Sequence, residues 1–261
     1  MRRRVCVSFD HDSCFLACIN EHRLVFRGPL AAEDLPESIK QGKCSFHTRG
    51  VLASRDYQLF RAKKPAVSSA EMREALLWQE QEHFLVPADQ LIIEYFGCHT
   101  HDSEVYVVAI PKPILQRRYD VLLAAGLNVQ NLTIPEFVYA DYIRTYLSTQ
   151  PLVAWVQWFA DHAQVLCYWQ GNLVANMRLP KEVHELQRSL QLFYLDHLRS
   201  FQETVCWLIH SHDAQLHTEL TPVLQGEVKP LLFSDLGIEQ DDIALQNSAM
   251  NHAIVGAITA L

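Results

Sequence analysis

Two stretches of this chain, separated by a shift of 149 positions, carry nearly the same pattern. The clearer copy is LVAWVQWFADHAQVLCYWQGNLVANMRLP, residues 152–180. Apolar and β-branched runs at 154–159, 164–169 and 173–177 are cut by Asp161–His162 and by Gly171–Asn172. Such runs punctuated by Asp, Gly and Asn predict three strands joined by tight turns. Without a gap, residues 5–26 lie over 154–175: Val7 falls on Val156, Asp12 on Asp161, Cys18 on Cys167, Leu24 on Leu173 and Val25 on Val174. A chain that spells one meander twice is constrained to build two like halves.

The remaining segments fit this plan. Residues 28–43 read as a loop with one helical turn, 51–60 as a strand and 61–65 as a basic linker. Residues 68–84 read as a helix opened by the capping-box pattern Ser68-x-x-Glu71. Strands are expected at 91–96, 104–110 and 128–134, with helices at 113–125, stopped by Gly126, and at 136–147. After the second meander, 181–204 reads as one long helix whose stripe is Val183, Leu186, Leu190, Phe193, Leu198 and Phe201. Strands at 205–209 and 231–233 and an apolar closing helix at 249–261 complete the reading. The fold class is therefore α/β with mixed sheets: a first lobe over 1–150, carrying an inserted subdomain at about 66–127, and a second lobe over 151–261.

Composition narrows the function classes. With 261 residues, 49% apolar and 20% charged, the chain is globular rather than disordered. A formal net charge of −8 offers no general attraction to nucleic acid or anionic lipid. No apolar run approaches the ~20 residues that span a bilayer, so direct membrane insertion is not expected. Seven cysteines, without a CxxC pair and mostly within apolar runs, are expected to be reduced, as in the cytoplasm.

Motifs for chemistry are sparse. GxSxG, HExxH and GxGxxG are absent. Gly42-Lys43-Cys44-Ser45 lacks the earlier glycine and the leading strand of a phosphate loop. The histidine-rich runs 98–102 and 210–213 lie far apart and read as polar connecting loops, so no metal site is expected. Asp10 and Asp12, on a tight turn, read as caps of the backbone rather than as an acid–base pair. Trp155, Trp158 and Trp169 alternate along the second meander, so some must face the core.

The order of meander, helix with EQEHFLVPADQ, strand EVYVVAIP, LLAAGLNVQNLTIPEF, second meander and closing AIVGAITAL resembles the PilM-like actin-fold proteins of type IV pilus assembly. Within them the similarity is greatest to the branch that serves mannose-sensitive haemagglutinin (MSHA) pili. The cytoplasmic domain of the type II secretion protein GspL is similar more distantly. The resemblance implies an actin-like, ribonuclease H-like fold and a non-enzymatic cytoplasmic scaffold, held at the inner membrane by its partner. That partner is the cytoplasmic tail of a PilN-like bitopic membrane protein, met by the first lobe with its inserted subdomain, and the scaffold couples it to the assembly motor ATPase.

The same resemblance locates a nucleotide site. Family members place D-x-G at each of two hairpin turns, the Asp for the metal and its water, the Gly for close approach of backbone to phosphate. Here the first Asp position is Ser8 and the first Gly position Asp10, and the lysine that follows is Phe15. At the second turn the two positions are Gln157 and Phe159, and the loop that should cradle the adenosine is His210-Ser211-His212-Asp213. The expected cofactor is therefore none: Asp10 and Asp12 repel a triphosphate, and Phe159 fills the space that backbone needs. A regulatory member that binds ATP with magnesium is the alternative.

Overall fold

The computed structural model describes residues 3–10, 12–20, 23–40, 46–98, 103–159, 162–210, 214–230 and 248–259. The first sheet begins with the first meander: β1 (Arg3–Asp10), β2 (Ser13–Asn20) and β3 (Arg23–Ala31). A short helix α1 (Leu35–Lys40) follows, and β4 (Phe46–Val51) pairs with β1 in parallel. The second sheet repeats the plan with β9 (Leu152–Trp158), β10 (Ala163–Trp169), β11 (Asn172–Leu179) and β12 (Val205–His210), the last again parallel to the first strand of its meander. Each sheet gains a fifth strand on the parallel side, β8 (Val129–Thr133) in the first and β13 (Glu227–Pro230) in the second.

The ladders bear out the shift of 149. Val5 faces Cys18 and Val7 faces Leu16, while Ala154 faces Cys167 and Val156 faces Val165. The third strands differ: Cys18 pairs with Val25, but Cys167 pairs with Ala175, because a bulge lies between Cys167 and Tyr168. A bulge puts two residues of one strand opposite one of the other and resets the register by one.

Between β4 and β8 lies a third sheet of β5 (Gln58–Lys63), β6 (Leu91–Gly97) and β7 (Glu104–Pro111), in the order β5-β7-β6. This corrects two sequence expectations. Residues 51–60 are not one strand; they hold the end of β4, a turn and the start of β5, which belong to different sheets. Residues 61–63 belong to β5 rather than to a linker, so the inserted sheet starts before residue 66. Helix α2 (Met72–Gln79) is shorter than the 68–84 pattern, although the Ser68 backbone N–H and hydroxyl both donate to the Glu71 carboxylate. Met72 and Leu76 of α2 pack on Ala62, Ile93, Val105 and Val107, the side of the third sheet turned away from the main body. Helix α3 (Lys112–Ala124) leads back and stops where Gly126 takes φ +75°, a conformation that glycine adopts without strain.

The long helix expected over 181–204 is broken. Helix α5 (Val183–Phe193) runs into a π turn at Tyr194–Leu198 and a 3-10 turn at Arg199–Phe201. The five-residue step from Phe193 to Leu198 is the physical reason. A wider turn is what brings both side chains onto the second sheet, where each is buried. Helix α6 (Ala214–Leu220) and β13 stand where polar sequence gave no element signal. The strand expected at 231–233 falls outside the described residues.

Two helices separate the first and second sheets. They are α4 (Pro135–Tyr146) and the closing helix α7 (Ser248–Thr259), and α7 packs on β1, β2 and α4 of the first half. A Cβ at Gly256 would collide with Cys6 Sγ, so α7 lies as close to β1 as a helix backbone allows. One apolar core joins Cys6 and Val51 of the first sheet, Val138, Tyr139 and Tyr142 of α4, Ala253 and Ile254 of α7, and Val153, Trp155 and Leu208 of the second sheet. The described cysteines (Cys6, Cys14, Cys18, Cys98, Cys167 and Cys206) are all buried, and none forms a disulfide with another described residue.

Candidate functional site

Alternation along β1 and β9 decides what faces the space between the halves. Val5, Val7 and Phe9 belong to the outer core of the first half, and Cys6 to the shared core. Ser8 therefore points inward with Cys6. On β9, Leu152, Ala154 and Val156 face the outer core and Val153 and Trp155 the shared one, so Gln157 points inward as well. The two residues that the shift of 149 equates thus occupy matching places on the two sheets. Each lies at the mouth of its hairpin, and Ser8 pairs with Val51 where Gln157 pairs with His210.

Both are buried, and Ser8 Oγ and Gln157 Nε2 have no hydrogen-bond partner among the described residues. Thr48 Oγ1, Tyr139 Oη and Trp155 Nε1 are in the same condition. Unpartnered polar atoms in a core cost stability rather than adding to it. Ser8→Ala is therefore expected to leave stability unchanged or raise it by up to about 1 kcal/mol, read as a urea midpoint. A loss above that would mean that the hydroxyl has a partner in solution.

Neither turn carries the D-x-G sequence: residues 8–10 read Ser-Phe-Asp and residues 157–159 Gln-Trp-Phe. At the first, the Ser13 hydroxyl donates to the Asp10 carbonyl at 2.8 Å, and Asp12 is exposed. At the second, the Phe159 N–H donates to the His162 carbonyl at 2.9 Å, and the two rings stack with centroids 4.6 Å apart. Phe15, expected from the resemblance to stand in for a lysine, is buried in the shared core. His210 closes β12, while residues 211–213 and the run 99–102 lie outside the described residues.

Burial shifts several titratable groups of the two cores toward their uncharged forms. Burial pushes the Cys6 thiol up to about 12, opposed in part by the Arg49 guanidinium, and pushes Cys14 up to about 11, so both stay protonated and poorly nucleophilic at neutral pH. The Glu136 carboxyl is buried, and burial raises its pKa, although the Tyr57 hydroxyl donates to it at 2.7 Å. The Tyr168 hydroxyl donates to the Glu136 carbonyl at 2.9 Å, which ties β10 to the start of α4. Among the described residues no group of three or more His, Cys, Asp or Glu could hold a metal ion.

Sequence reading missed the polar ties between parts of the chain, because each joins residues far apart. Arg61 of the inserted sheet donates to Tyr106 Oη and to the carbonyl of Val174 on β11, joining the inserted sheet to the second one. Arg118 of α3 makes a two-pronged bond to Asp56, at 2.8 and 3.0 Å. Nothing local in the sequence marks either pair.

No protein-family model matches the chain, and no curated protein matches it in sequence. Solved structures do match. A chain of a PilM–PilN type IV pilus biogenesis complex is 14% identical with a TM-score of 0.71, over 99% of this chain and 97% of that one. The cytoplasmic domain of EpsL, an inner-membrane component of the type II secretion system of Vibrio cholerae, is 13% identical with a TM-score of 0.60, over 98% and 95%. A Bacteroides thetaiotaomicron protein of unknown function with an actin-like ATPase fold is 10% identical with a TM-score of 0.54, over 97% and 95%. The chain has the actin-like fold.

Proposed function

We propose that the chain is a non-enzymatic scaffold of type IV pilus biogenesis, of the MshI kind that serves MSHA pili. It works on the cytoplasmic side of the inner membrane. It docks the cytoplasmic tail of a PilN-like bitopic membrane protein on the first half with its inserted sheet, and couples that protein to the assembly motor ATPase. None of the described helices is long and apolar enough to cross a membrane, which suits a protein held there by a partner. The likeness over nearly the whole length to a chain of a PilM–PilN type IV pilus biogenesis complex supports this reading.

The observation that carries the non-enzymatic part is the chemistry of the two hairpins. By the resemblance Ser8 and Gln157 take the places of metal-holding carboxylates; both are buried, and Ser8 Oγ and Gln157 Nε2 have no hydrogen-bond partner among the described residues. Phe159, stacked on His162, stands where glycine would let backbone approach a phosphate. A triphosphate here would meet Asp10 and Asp12 with no cation supplied at position 15. On this reading the fold keeps both hairpins although the residues that would hold a phosphate are gone.

Two titrations test it. Calorimetry with ATP and magnesium is expected to give no saturable heat at micromolar ligand. Saturable binding would favour the alternative, an ATP-binding regulatory protein of the same fold. A synthetic PilN-like N-terminal tail is expected to be retained by the immobilised protein and to raise its melting temperature by mass action. A folded protein that ignores the tail in both assays would overturn the docking claim.

A further inference from the structure

The inserted sheet meets the second half along a polar seam. Strand order puts β5 at an edge of the inserted sheet and β11 at an edge of the second sheet. Arg61 of β5 bridges the two edges. Its Nη2 donates to the Val174 carbonyl of β11, and its Nε donates to Tyr106 Oη at 3.1 Å. The Tyr106 ring centre lies 5.4 Å from the guanidinium carbon, and burial pushes its hydroxyl up to about 12, so it stays a neutral partner. The carboxylate at the seam is set loosely. Glu104 Oε2 is 3.7 Å from Arg61 Nη1, too far for a hydrogen bond, and accepts none from another described residue. The two hydrogen bonds of the cation thus end on uncharged oxygens, one on each side of the seam.

A histidine of the second half faces this cation. The π turn that follows α5 puts His197 between Phe193 and Leu198, which share the outer core with Val174. The His197 ring packs on Phe193 with centroids 5.0 Å apart and is only partly buried. The charged groups acting on His197 are Arg61 across the seam and the exposed Asp196 on its own turn. Those acting on Arg61 are Tyr106, Cys98 and Glu104, all from the inserted sheet and its β6–β7 turn. Burial, and after it the Arg61 charge, holds the imidazole below its ordinary value, with Asp196 opposing. A base held low favours the fold while it is neutral. Its contribution is whole above about pH 6.5 and is lost as the pH falls toward the lowered value.

We propose that Arg61 is a latch between the inserted sheet and the second half, and that His197 is its proton-sensitive release. A charge on His197 repels the guanidinium, the bond to the Val174 carbonyl opens, and the inserted sheet loosens from β11. Two like charges at a partly buried seam repel far more than they would in water. Cys98 and Tyr106 belong with Leu173 of β11 to the shared core, so an open latch frees the seam without unfolding either half. The device needs no partner, and its test is separate from that of tail docking.

Two measurements on the full chain test this. The Arg61 Nε–H resonance, followed by NMR between about pH 5 and pH 8, is expected to titrate with a single inflection on the acid side. In His197→Gln, whose side chain stays neutral, it is expected to hold its alkaline position throughout. Hydrogen exchange at neutral pH then separates opening from a mere change of field. His197→Lys carries the charge permanently, so amides of β5 and β11 are expected to exchange about tenfold faster than in the parent, with β1 and β2 unchanged. Arg61→Met is expected to give the same acceleration, and His197→Lys added to it no more, because the repelled group is already gone. Melting temperatures check that each variant is folded; should His197→Lys not fold, the titration of the parent against His197→Gln decides alone. An Arg61 resonance that does not titrate, or that titrates alike in His197→Gln, would overturn the proposal. So would a folded His197→Lys variant with parental exchange, or one whose effect persists in full without Arg61.

Discussion

Replacing Trp155 by alanine is expected to cost about 3–5 kcal/mol of stability, because a fully buried indole leaves a cavity that its neighbours close only in part. The neighbours here are ring systems already fixed by other contacts. Tyr139 lies 4.2 Å away between centroids and Tyr142 5.5 Å, both on α4. The cavity opens where both sheets, α4 and α7 meet, so the loss falls on the joint between the halves rather than within one of them. Trp155→Phe separates volume from polarity. Trp155 Nε1 is buried without a partner among the described residues, so phenylalanine removes an orphaned donor while keeping most of the aromatic contact. Its cost is expected to be less than half that of alanine, measured as urea midpoints with m-values checked for two-state behaviour. Equal costs for the two variants would mean that the indole N–H has a partner in solution.

How far the sequence foretold this joint depends on the kind of signal. The duplicated meander was legible because strand pairing preserves sequence spacing: a shift of 149 that aligns Val7 with Val156 also aligns their partners Leu16 and Val165. The bulge at Cys167 was not, since it is a backbone choice that any side chain there permits. The stretch 51–60 misled because Val51, Leu52, Ala53 and Tyr57 are all buried, yet only the first is in a strand. Continuous apolar character records burial and does not record which sheet does the burying. The closing helix shows the same limit. Its apolar surface all round predicts a buried helix, but only the tertiary structure lays it on β1 and β2 instead of the second sheet. The five-residue step in the α5 stripe was present in the sequence, and a strict helical period conceals it. At the candidate site, the matching places of Ser8 and Gln157 followed from the repeat. That both end as buried, unpartnered polar atoms needed side-chain positions.

Breaking the Asp56–Arg118 pair is expected to be as damaging as removing Trp155, for a different reason. The pair is nearly buried, with side-chain exposures of 5% and 11%, and its two bonds are short and parallel. Asp56 Oδ2 also accepts the backbone N–H of Ala53 at 3.2 Å, and the guanidinium sits 4.7 Å above the Phe9 ring. Asp56→Ala therefore strands a desolvated cation and an amide together, a loss of about 3–5 kcal/mol. Asp56 is on the chain leaving β4 and Arg118 on α3, which returns to β8, so the pair clasps both legs of the inserted sheet where they leave the main body. Loosening it should show first as faster amide exchange in β5, β6 and β7, ahead of global unfolding. The double variant Asp56→Ala with Arg118→Met removes both charges and keeps the aliphatic contact with Phe9. Its cost is expected to be well below the sum of the two single costs, as in any pair whose partners depend on each other. Strict additivity would show that the clasp is solvated and carries no more than a surface ion pair does.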